Sequence, residues 1–251
     1  MTEHVATELN GRVLTLRLNR PERKNALTHA MYGALADGLA RAGADEAIRA
    51  VIITATGDAF TSGNDLGDFA AGMPAGEPPV TRFLRNLRDL DKPVVAGVNG
   101  TAVGVGLTML LHCDLVYAAE SVVFRAPFAQ IGLVPEAGSS LLLPMALGLA
   151  WANDVLIAGR TLTAAEALAA GLVSRLVPAD ELPALIDATA AAAAALAPGA
   201  VRATKRLIRR NRPQVEEQMA AEAALFAAQL RSPEFHEAAR AFVERRAPVF
   251  A

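Results

Sequence analysis

The sequence predicts an α/β fold that is followed by an all-helical C-terminal region. Short apolar runs at 51–53 and 94–98 are typical of strands buried on both faces of a sheet, and segments of helical periodicity separate such runs. After about residue 180 the strand signals stop and only helical patterns remain. Hydrophobic residues make up 53% of the 251 residues, so the chain can bury a large core.

The first predicted elements are a hairpin and a helix. Strands near residues 4–8 and 12–18 flank the dipeptide Asn10-Gly11, which is strongly favoured in two-residue hairpin turns. Thr28 is a suitable N-cap for the helix that follows. The apolar stripe of this helix, at helical spacing, consists of Tyr32, Leu35, Leu39 and Ala42.

Strands and helices then alternate to about residue 177. The further predicted strands are 51–55, 94–98, 115–118 and 172–177. The predicted helices among them are 80–90, 104–112, 136–147, 150–158 and 163–169. An alanine-rich helix over 181–197 and further helices to about Val243 complete the chain, either folded back or docked on a neighbour.

Composition excludes several classes of function. A net charge of −2 argues against general binding of nucleic acid or a membrane surface. The four histidines show no metal-ligand spacing, and Cys113 is the single cysteine, so we expect neither a metal site nor an intrachain disulfide. Residues 94–111 are apolar but contain four glycines and Asn99, which disfavours a spanning helix. With no signal-peptide pattern at the start, we expect a cytoplasmic protein.

The common nucleotide and hydrolase motifs are incomplete or missing. Gly104-Val105-Gly106 opens a predicted helix, but position 109 is methionine, so the dinucleotide-binding fingerprint is not completed. The sequence contains no Gly-Lys-Ser/Thr phosphate loop and no Gly-x-Ser-x-Gly nucleophile elbow. His112 lies in an apolar segment, where we expect a hydrogen-bonded core histidine.

Two turns share one design, a buried strand that runs through glycine into a helix. They lie at 59–66 and 99–107. Backbone N–H groups at such turns can hold developing negative charge, and two facing turns would form an oxyanion hole. Ordinary tight connections, which are common, are the alternative interpretation of both turns.

Five segments in order resemble the signature segments of the crotonase (enoyl-CoA hydratase/isomerase) superfamily. They are 18–27, 59–66, 99–114, 132–140 and 159–173. The resemblance implies a spiral of ββα repeats over 1–195 that carries the acyl-CoA site. It also implies a helical region over 196–251 for packing or trimerisation, and homotrimers or hexamers.

The resemblance also implies site residues. Asn64 and Val105 match the residues whose backbone N–H groups polarise the thioester carbonyl. Coenzyme A enters as part of the substrate, so no separate cofactor is expected. The implied substrate-binding residues are Lys24, Ala26, Ser62, Gly63, Gly104, Phe128, Phe69 and Met73. For Lys24 a solvated lysine, and for Phe69 and Met73 core side chains, are the alternative interpretations.

Among the positions that match catalytic residues of the superfamily, only one is a carboxylate in this chain. Hydratases of the superfamily use two glutamates, and the matching positions here are Thr108 and Phe128, which disfavours hydration. Glu136 remains, in a Pro-Glu-Ala-Gly-Ser-Ser segment similar to that of single-glutamate Δ3,Δ2-enoyl-CoA isomerases. Phe128 would then exclude water and raise the pKa of Glu136.

Three alternatives stay open at this point. Glu136 is also consistent with a structural residue at a helix N-terminus. A hydratase or another acyl-CoA lyase with unusual residues is the second, and a non-catalytic acyl-CoA-binding protein is the third.

Overall fold

The computed structural model describes residues 3–65, 67–68 and 76–250. The strands are β1 (Val5–Asn10), β2 (Val13–Leu18), β3 (Ala50–Ala55), β4 (Ala59–Thr61), β5 (Val94–Val98), β6 (Thr101–Val103), β7 (Leu115–Ala119), β8 (Val123–Arg125), β9 (Leu162–Thr163) and β10 (Arg175–Val177). The helices are α1 (His29–Ala44), α2 (Pro79–Asp89), α3 (Val105–Thr108), α4 (Ser139–Leu147), α5 (Leu149–Leu156), α6 (Ala164–Ala170), α7 (Leu182–Ala195), α8 (Pro198–Ile208), α9 (Arg212–Gln229) and α10 (Pro233–Val243).

The strands form two sheets in a repeating pattern. The larger sheet has the order β1-β2-β3-β5-β7-β10 and is parallel except for the β1–β2 hairpin. The smaller sheet has the order β4-β6-β8-β9. Each of the pairs β3-β4, β5-β6 and β7-β8 therefore contributes its first strand to the larger sheet and its second to the smaller. This arrangement confirms the spiral of ββα repeats.

Local sequence signals account for the first elements. The hairpin is present, but Asn10 belongs to β1 and pairs with Val13, so the two turn residues are Gly11 and Arg12 and not the predicted Asn10-Gly11. Gly11 has a φ of 56°, which suits the first residue of such a turn. Thr28 caps α1, because its hydroxyl accepts a hydrogen bond from the N–H of Met31 at 3.2 Å. The predicted stripe of α1 is buried in the core, and β3 and β5 are buried along their whole lengths.

Helix α1 and the main hydrophobic core lie on one face of the larger sheet, and helix α7 covers the other face. Its residues Leu182 and Ile186 pack with Ile52 and Val95 in a second hydrophobic cluster. A Cβ atom at Gly97 would lie only 2.7 Å from Ile186 Cδ1, so the close approach of α7 to β5 depends on glycine at this position. No single helix of the described residues has the length and hydropathy of a membrane span, and the pair α7–α8 reaches them only together across a 108° bend.

The C-terminal helices fold back on the core. Val215 of α9 is part of the main hydrophobic core, and Phe226 and Phe235 pack against it. Of the two arrangements that the sequence allowed, folding back is the one seen for α9 and α10. The division of the chain at residues 195 and 196 stays a prediction.

Several predicted bounds differ from the structure. The strand predicted at 172–177 covers only 175–177, and the short strands β4, β6, β8 and β9 were not predicted. The helix predicted from residue 136 begins at Ser139, because Ala137 and Gly138 both have left-handed backbone conformations, with φ of 62° and 71°. This late start places Glu136 outside the helix.

Candidate active site

Glu136 lies on a loop that connects a short 3₁₀ turn, Ala129–Ile131, to α4. The two left-handed residues that follow it turn the backbone before the helix begins. Left-handed backbone is unfavourable for alanine, and such local strain is concentrated at functional sites. The carboxylate of Glu136 accepts a hydrogen bond at Oε1 from the hydroxyl of Thr108, at 2.5 Å.

The environment of Glu136 favours the protonated acid. Burial of the carboxyl group raises the pKa of Glu136 to about 7, against the lowering effect of the Thr108 hydrogen bond and with a smaller raising contribution from Glu222. The residue as a whole keeps part of its surface exposed, so a ligand can reach it. No ion pair of the described residues includes Glu136 or Glu222. A carboxyl group with a pKa near neutrality is suited to both taking and returning a proton.

Thr108, the hydrogen-bond partner of Glu136, stands at a position where the resemblance places a glutamate in hydratases. It is fully buried at the end of α3, and its hydroxyl points at Glu136. The structure therefore brings together a position at which the resemblance places a glutamate in hydratases, Thr108, and the position of the single glutamate of the isomerases, Glu136. Here one is a carboxyl group and the other is a neutral hydrogen-bond donor.

Phe128, the other such position, is buried and begins the 3₁₀ turn before the Glu136 loop. Its carbonyl accepts hydrogen bonds from the N–H groups of Ile131 and Leu133, at 3.1 and 2.8 Å. Its side chain carries no group that titrates. Within the described residues no cluster of histidine, cysteine and acidic side chains could hold a metal ion.

The two glycine turns lie against each other. Strands β4 and β6 are parallel neighbours, with Thr61 paired to Ala102. Beyond them, a Cβ atom on Gly63 would lie 3.3 Å from the carbonyl oxygen of Val103, and one on Gly106 would lie 2.5 Å from Thr61 Cγ2. Glycine at 63 and 106 is thus required for this close approach.

Within the described residues, no hydrogen bond has the backbone N–H of Asn64 or Val105, which lie at these turns, as its donor. In the bridge between Leu27 and Asn64, the N–H of Leu27 donates to Gly63 O and the N–H of Asp65 donates to Leu27 O. The N–H of Asn64 takes no part in this bridge. Val105 is the first residue of α3, where helical hydrogen bonding leaves N–H groups unpaired. The pair is therefore available to a ligand oxygen.

Tyr32 is a site residue that the sequence analysis missed. Its hydroxyl donates to Asn64 Oδ1 at 2.5 Å, and the side chain is only 3% exposed. Burial, with a contribution from the nearby charge of Glu136, raises the pKa of Tyr32 well above its usual value, so it remains a donor. The helical spacing places Tyr32 in the apolar stripe of α1 and does not distinguish it from the leucines there. The available signal was that a buried tyrosine hydroxyl requires a partner.

His112 holds the Glu136 loop through a hydrogen bond to its backbone. Its Nε2 donates to the carbonyl oxygen of the left-handed Ala137, at 2.7 Å. Burial lowers the pKa of His112 to about 4, so the ring is neutral near pH 7. The prediction of a hydrogen-bonded core histidine is confirmed.

The N-terminus of α4 is capped by Glu222 of α9 and not by Glu136. The Glu222 carboxylate accepts from the N–H groups of Gly138 and Ser140, at 2.6 and 2.9 Å. The interpretation of Glu136 as the capping residue of this helix is therefore wrong. Nothing in the sequence pattern links Glu222 to Gly138 across 84 residues.

The other predicted binding residues are partly brought together. The N–H of Ser62 donates to the carbonyl oxygen of Lys24 at 2.9 Å, and Arg20 donates to the carbonyl oxygen of Ala26 at 3.1 Å. Lys24 is exposed, and Gly104 has a φ of 56° where the chain enters α3. Phe69 and Met73 lie outside the described residues. The binding roles of all these residues stay predictions.

A family model described as enoyl-CoA hydratase/isomerase matches residues 8–251 of the chain. The chain belongs to the enoyl-CoA hydratase/isomerase family. Membership confirms the resemblance to the crotonase superfamily, and an acyl-CoA thioester is the substrate type that fits this family.

Solved and curated members of the enoyl-CoA hydratase/isomerase family are similar over most of the chain. An enoyl-CoA hydratase/isomerase from Pseudoalteromonas atlantica has 55% sequence identity and a TM-score of 0.96, covering 99% of this chain and 100% of that one. Enoyl-CoA delta isomerase 2 of Rattus norvegicus is 36% identical over 80% of this chain, which spans only about half, 53%, of that protein. The probable enoyl-CoA hydratase echA8 of Mycobacterium bovis is 34% identical over 99% of this chain and 98% of its own length.

Proposed function

We propose that this protein is an enoyl-CoA isomerase that converts 3-enoyl-CoA thioesters into 2-enoyl-CoA thioesters with Glu136 as its single base. The observation that carries the proposal is the pairing of Glu136 with Thr108. A carboxylate that faces a neutral hydroxyl can carry one proton between two carbon atoms, whereas adding water across a double bond requires an acid and a base around that water. Relatives named as delta isomerases support the same choice.

The thioester carbonyl of the substrate binds at the two glycine turns. The unpaired N–H groups of Asn64 and Val105 donate to the carbonyl oxygen, where negative charge develops during proton removal. The donors are fixed by the backbone, so they require little reorganisation in the transition state.

The reaction is a transfer of one proton. The carboxylate of Glu136 removes a proton from C2 of the 3-enoyl group, and the electron pair of the C–H bond moves into the thioester to give a dienolate. The same carboxyl group then returns the proton to C4, which places the double bond between C2 and C3. A pKa of about 7 for Glu136 suits both half-reactions near neutral pH.

Coenzyme A enters and leaves with the substrate in this proposal, and no other cofactor takes part. The buried Phe128 keeps the hydratase position apolar, which disfavours a water molecule there. Assembly as a trimer or hexamer and a cytoplasmic location remain predictions from the sequence.

The test mixes the purified protein with a trans-3-enoyl-CoA and follows the conjugated thioester by ultraviolet absorbance. The Glu136→Gln variant keeps the size and the hydrogen-bond acceptor but cannot take the proton, so we expect a loss of about 10³-fold or more in kcat with CoA-ester binding retained. A Glu166→Gln variant is the matched control, because Glu166 caps the remote helix α6.

Three outcomes would point elsewhere. Equal turnover by wild type and Glu136→Gln would remove Glu136 from the chemistry. Formation of a 3-hydroxyacyl-CoA from 2-enoyl-CoA, with no isomerisation, would support a hydratase. Tight CoA-ester binding without turnover of either substrate would support a binding protein.

A further inference from the structure

Glu222 is a buried carboxylate that the proposed reaction does not use. It is 4% exposed and lies on α9, and within the described residues the hydrogen bonds of its carboxylate all go to the start of α4. Besides the two N–H groups of Gly138 and Ser140, its Oε1 accepts the hydroxyl of Ser140 at 2.5 Å. Gln218, one helical turn earlier, donates to the same hydroxyl at 2.7 Å.

Helix α9 also packs closely against this end of the Glu136 loop. A Cβ atom at Gly138 would lie 3.1 Å from Val215 Cγ1 and 3.3 Å from Met219 Cγ. Val215, Met219 and Glu222 are spaced at three and four residues, so they share one face of α9. This face holds Gly138, two residues after Glu136.

The other end of the loop is held in the same way. Gln229 at the end of α9 donates to the carbonyl oxygen of Gly132 at 3.2 Å. A Cβ atom at Gly132 would lie 2.8 Å from the backbone nitrogen of Phe235 in α10. The C-terminal helices therefore contact the loop at residue 132 and at residues 138–140, and Glu136 lies between these two contact points.

The charge of Glu222 acts on Glu136 as well. The groups that act on the pKa of the Glu136 carboxyl are Thr108 of α3 and Glu222 of α9, and Glu136 in turn raises the pKa of Tyr32 of α1. Thr108 lowers the pKa of Glu136, and Glu222 raises it, because a second negative charge disfavours ionisation.

We propose that Glu222 is a positioning residue for Glu136, which fixes the loop through Gly138 and Ser140 and keeps the base ready to accept a proton. The inference rests on the proposed role of Glu136 as the base. It gives the C-terminal helices a part in the chemistry in addition to packing.

The test compares Glu222→Gln with Glu237→Gln. Both glutamates are buried on C-terminal helices, but Glu237 bonds to Arg240, Arg246 and the N–H of Val249, and none of these partners belongs to residues 132–140. We expect Glu222→Gln to lower kcat by about tenfold or more. The N–H groups of Gly138 and Ser140 bond to different oxygens of Glu222, and the amide nitrogen of glutamine cannot accept, so the loop loses one of these bonds and its fixed geometry. KM should change little, and Glu237→Gln should leave kcat unchanged.

The pKa of Glu136 is measured separately, by carbon-13 NMR titration of carboxyl-labelled glutamate with Glu136→Gln to assign the signal. This reading does not depend on which reaction the enzyme catalyses, so it distinguishes failure of this inference from failure of the proposed function. We expect the pKa of Glu136 to fall in Glu222→Gln and to stay in Glu237→Gln.

A Ser140→Ala variant covers the case in which Glu222→Gln does not fold. It removes one hydrogen bond to Glu222 but keeps its charge, so kcat should fall while the pKa of Glu136 does not. An unchanged kcat in Ser140→Ala, or equal effects of Glu222→Gln and Glu237→Gln on both readings, would overturn the proposal.

Discussion

The hydroxyl of Thr108 donates to Oε1 of Glu136 over 2.5 Å, so the candidate base is held by a neutral group. The hydrogen bond favours the ionised carboxylate, while burial favours the acid, and the balance gives a pKa of about 7. Of the described residues, Glu222 is the other carboxylate that affects the pKa of Glu136. Its oxygens accept hydrogen bonds from N–H groups at the start of α4.

Replacement of Thr108 by valine should raise the pKa of Glu136 further. Valine has nearly the same shape but donates no hydrogen bond, so the ionised form loses its stabilising partner. At pH 7 we expect kcat/KM to fall about tenfold, with recovery at higher pH as more of the base ionises. The control is Thr54→Val, since Thr54 is also buried and donates to Gly97 O far from Glu136. An identical pH profile for wild type and Thr108→Val would contradict the assignment.

The pH dependence of the wild-type enzyme follows from the same group. Proton removal requires ionised Glu136, so kcat/KM should rise with pH through an apparent pKa of about 7 and level off above it. The measurement is a pH profile with a 3-enoyl pantetheine thioester, which carries no phosphate to titrate in this range. Activity that is constant from pH 5 to pH 8 would show that Glu136 titrates elsewhere or does not act as the base.

Glu136 should also reduce the stability of the fold at high pH. At pH values below the ordinary pKa of a glutamate, the side chain is protonated in both the folded and the unfolded chain and has no such effect. Between the ordinary pKa of 4.5 and the folded-state pKa of about 7, the unfolded chain ionises Glu136 while the folded chain keeps it protonated, so the free energy of unfolding falls with pH. The loss is complete above about pH 7 and is on the order of 3 kcal/mol.

Glutamine at position 136 stays neutral, so Glu136→Gln should be more stable than wild type by about this amount at pH 8, and about equally stable at pH 4. Urea unfolding at the two pH values measures the difference. A stability gain that does not depend on pH would mean that ionisation of Glu136 is not its source.

Tyr32→Phe should weaken the support of the oxyanion donors. The variant removes the hydrogen bond to the Asn64 side chain and leaves its carbonyl oxygen without that partner, so we expect kcat/KM to fall about tenfold, or ~1.4 kcal/mol. The other tyrosine of the chain, Tyr117 on β7, provides the matched control, and Tyr117→Phe should keep full activity. Equal activities for the two variants would contradict a role for Tyr32.

Much of the fold was accessible from the sequence because its signals are local. The buried runs of β3 and β5, the hairpin of β1 and β2 and the Thr28 cap each depend on neighbouring residues, although the hairpin turn lies one residue later than predicted. The strands β4 and β6 were missed because they are only three residues long and lie next to glycine turns. Their pairing depends on contacts between segments that are distant in the sequence, and the hydrophobic periodicity of one segment does not predict such contacts.

The site was predictable only in part for the same reason. Glu136, Asn64 and Val105 were found by resemblance, and Thr108 was named as a missing carboxylate before its contact with Glu136 was known. Glu222 was missed because it meets Gly138 across 84 residues, and the left-handed Ala137 was missed because alanine disfavours that conformation.

In the proposed reaction one carboxyl group, that of Glu136, moves one proton from C2 to C4. The most direct test uses a 3-enoyl-CoA that carries deuterium at C2, converted in ordinary water, with the product analysed by mass spectrometry and NMR. We expect 2-enoyl-CoA in which part of the removed deuterium is found at C4, because Glu136 returns the same isotope before it exchanges with solvent. Product with only solvent protons at C4, or a hydrated product, would contradict an enclosed single-base transfer.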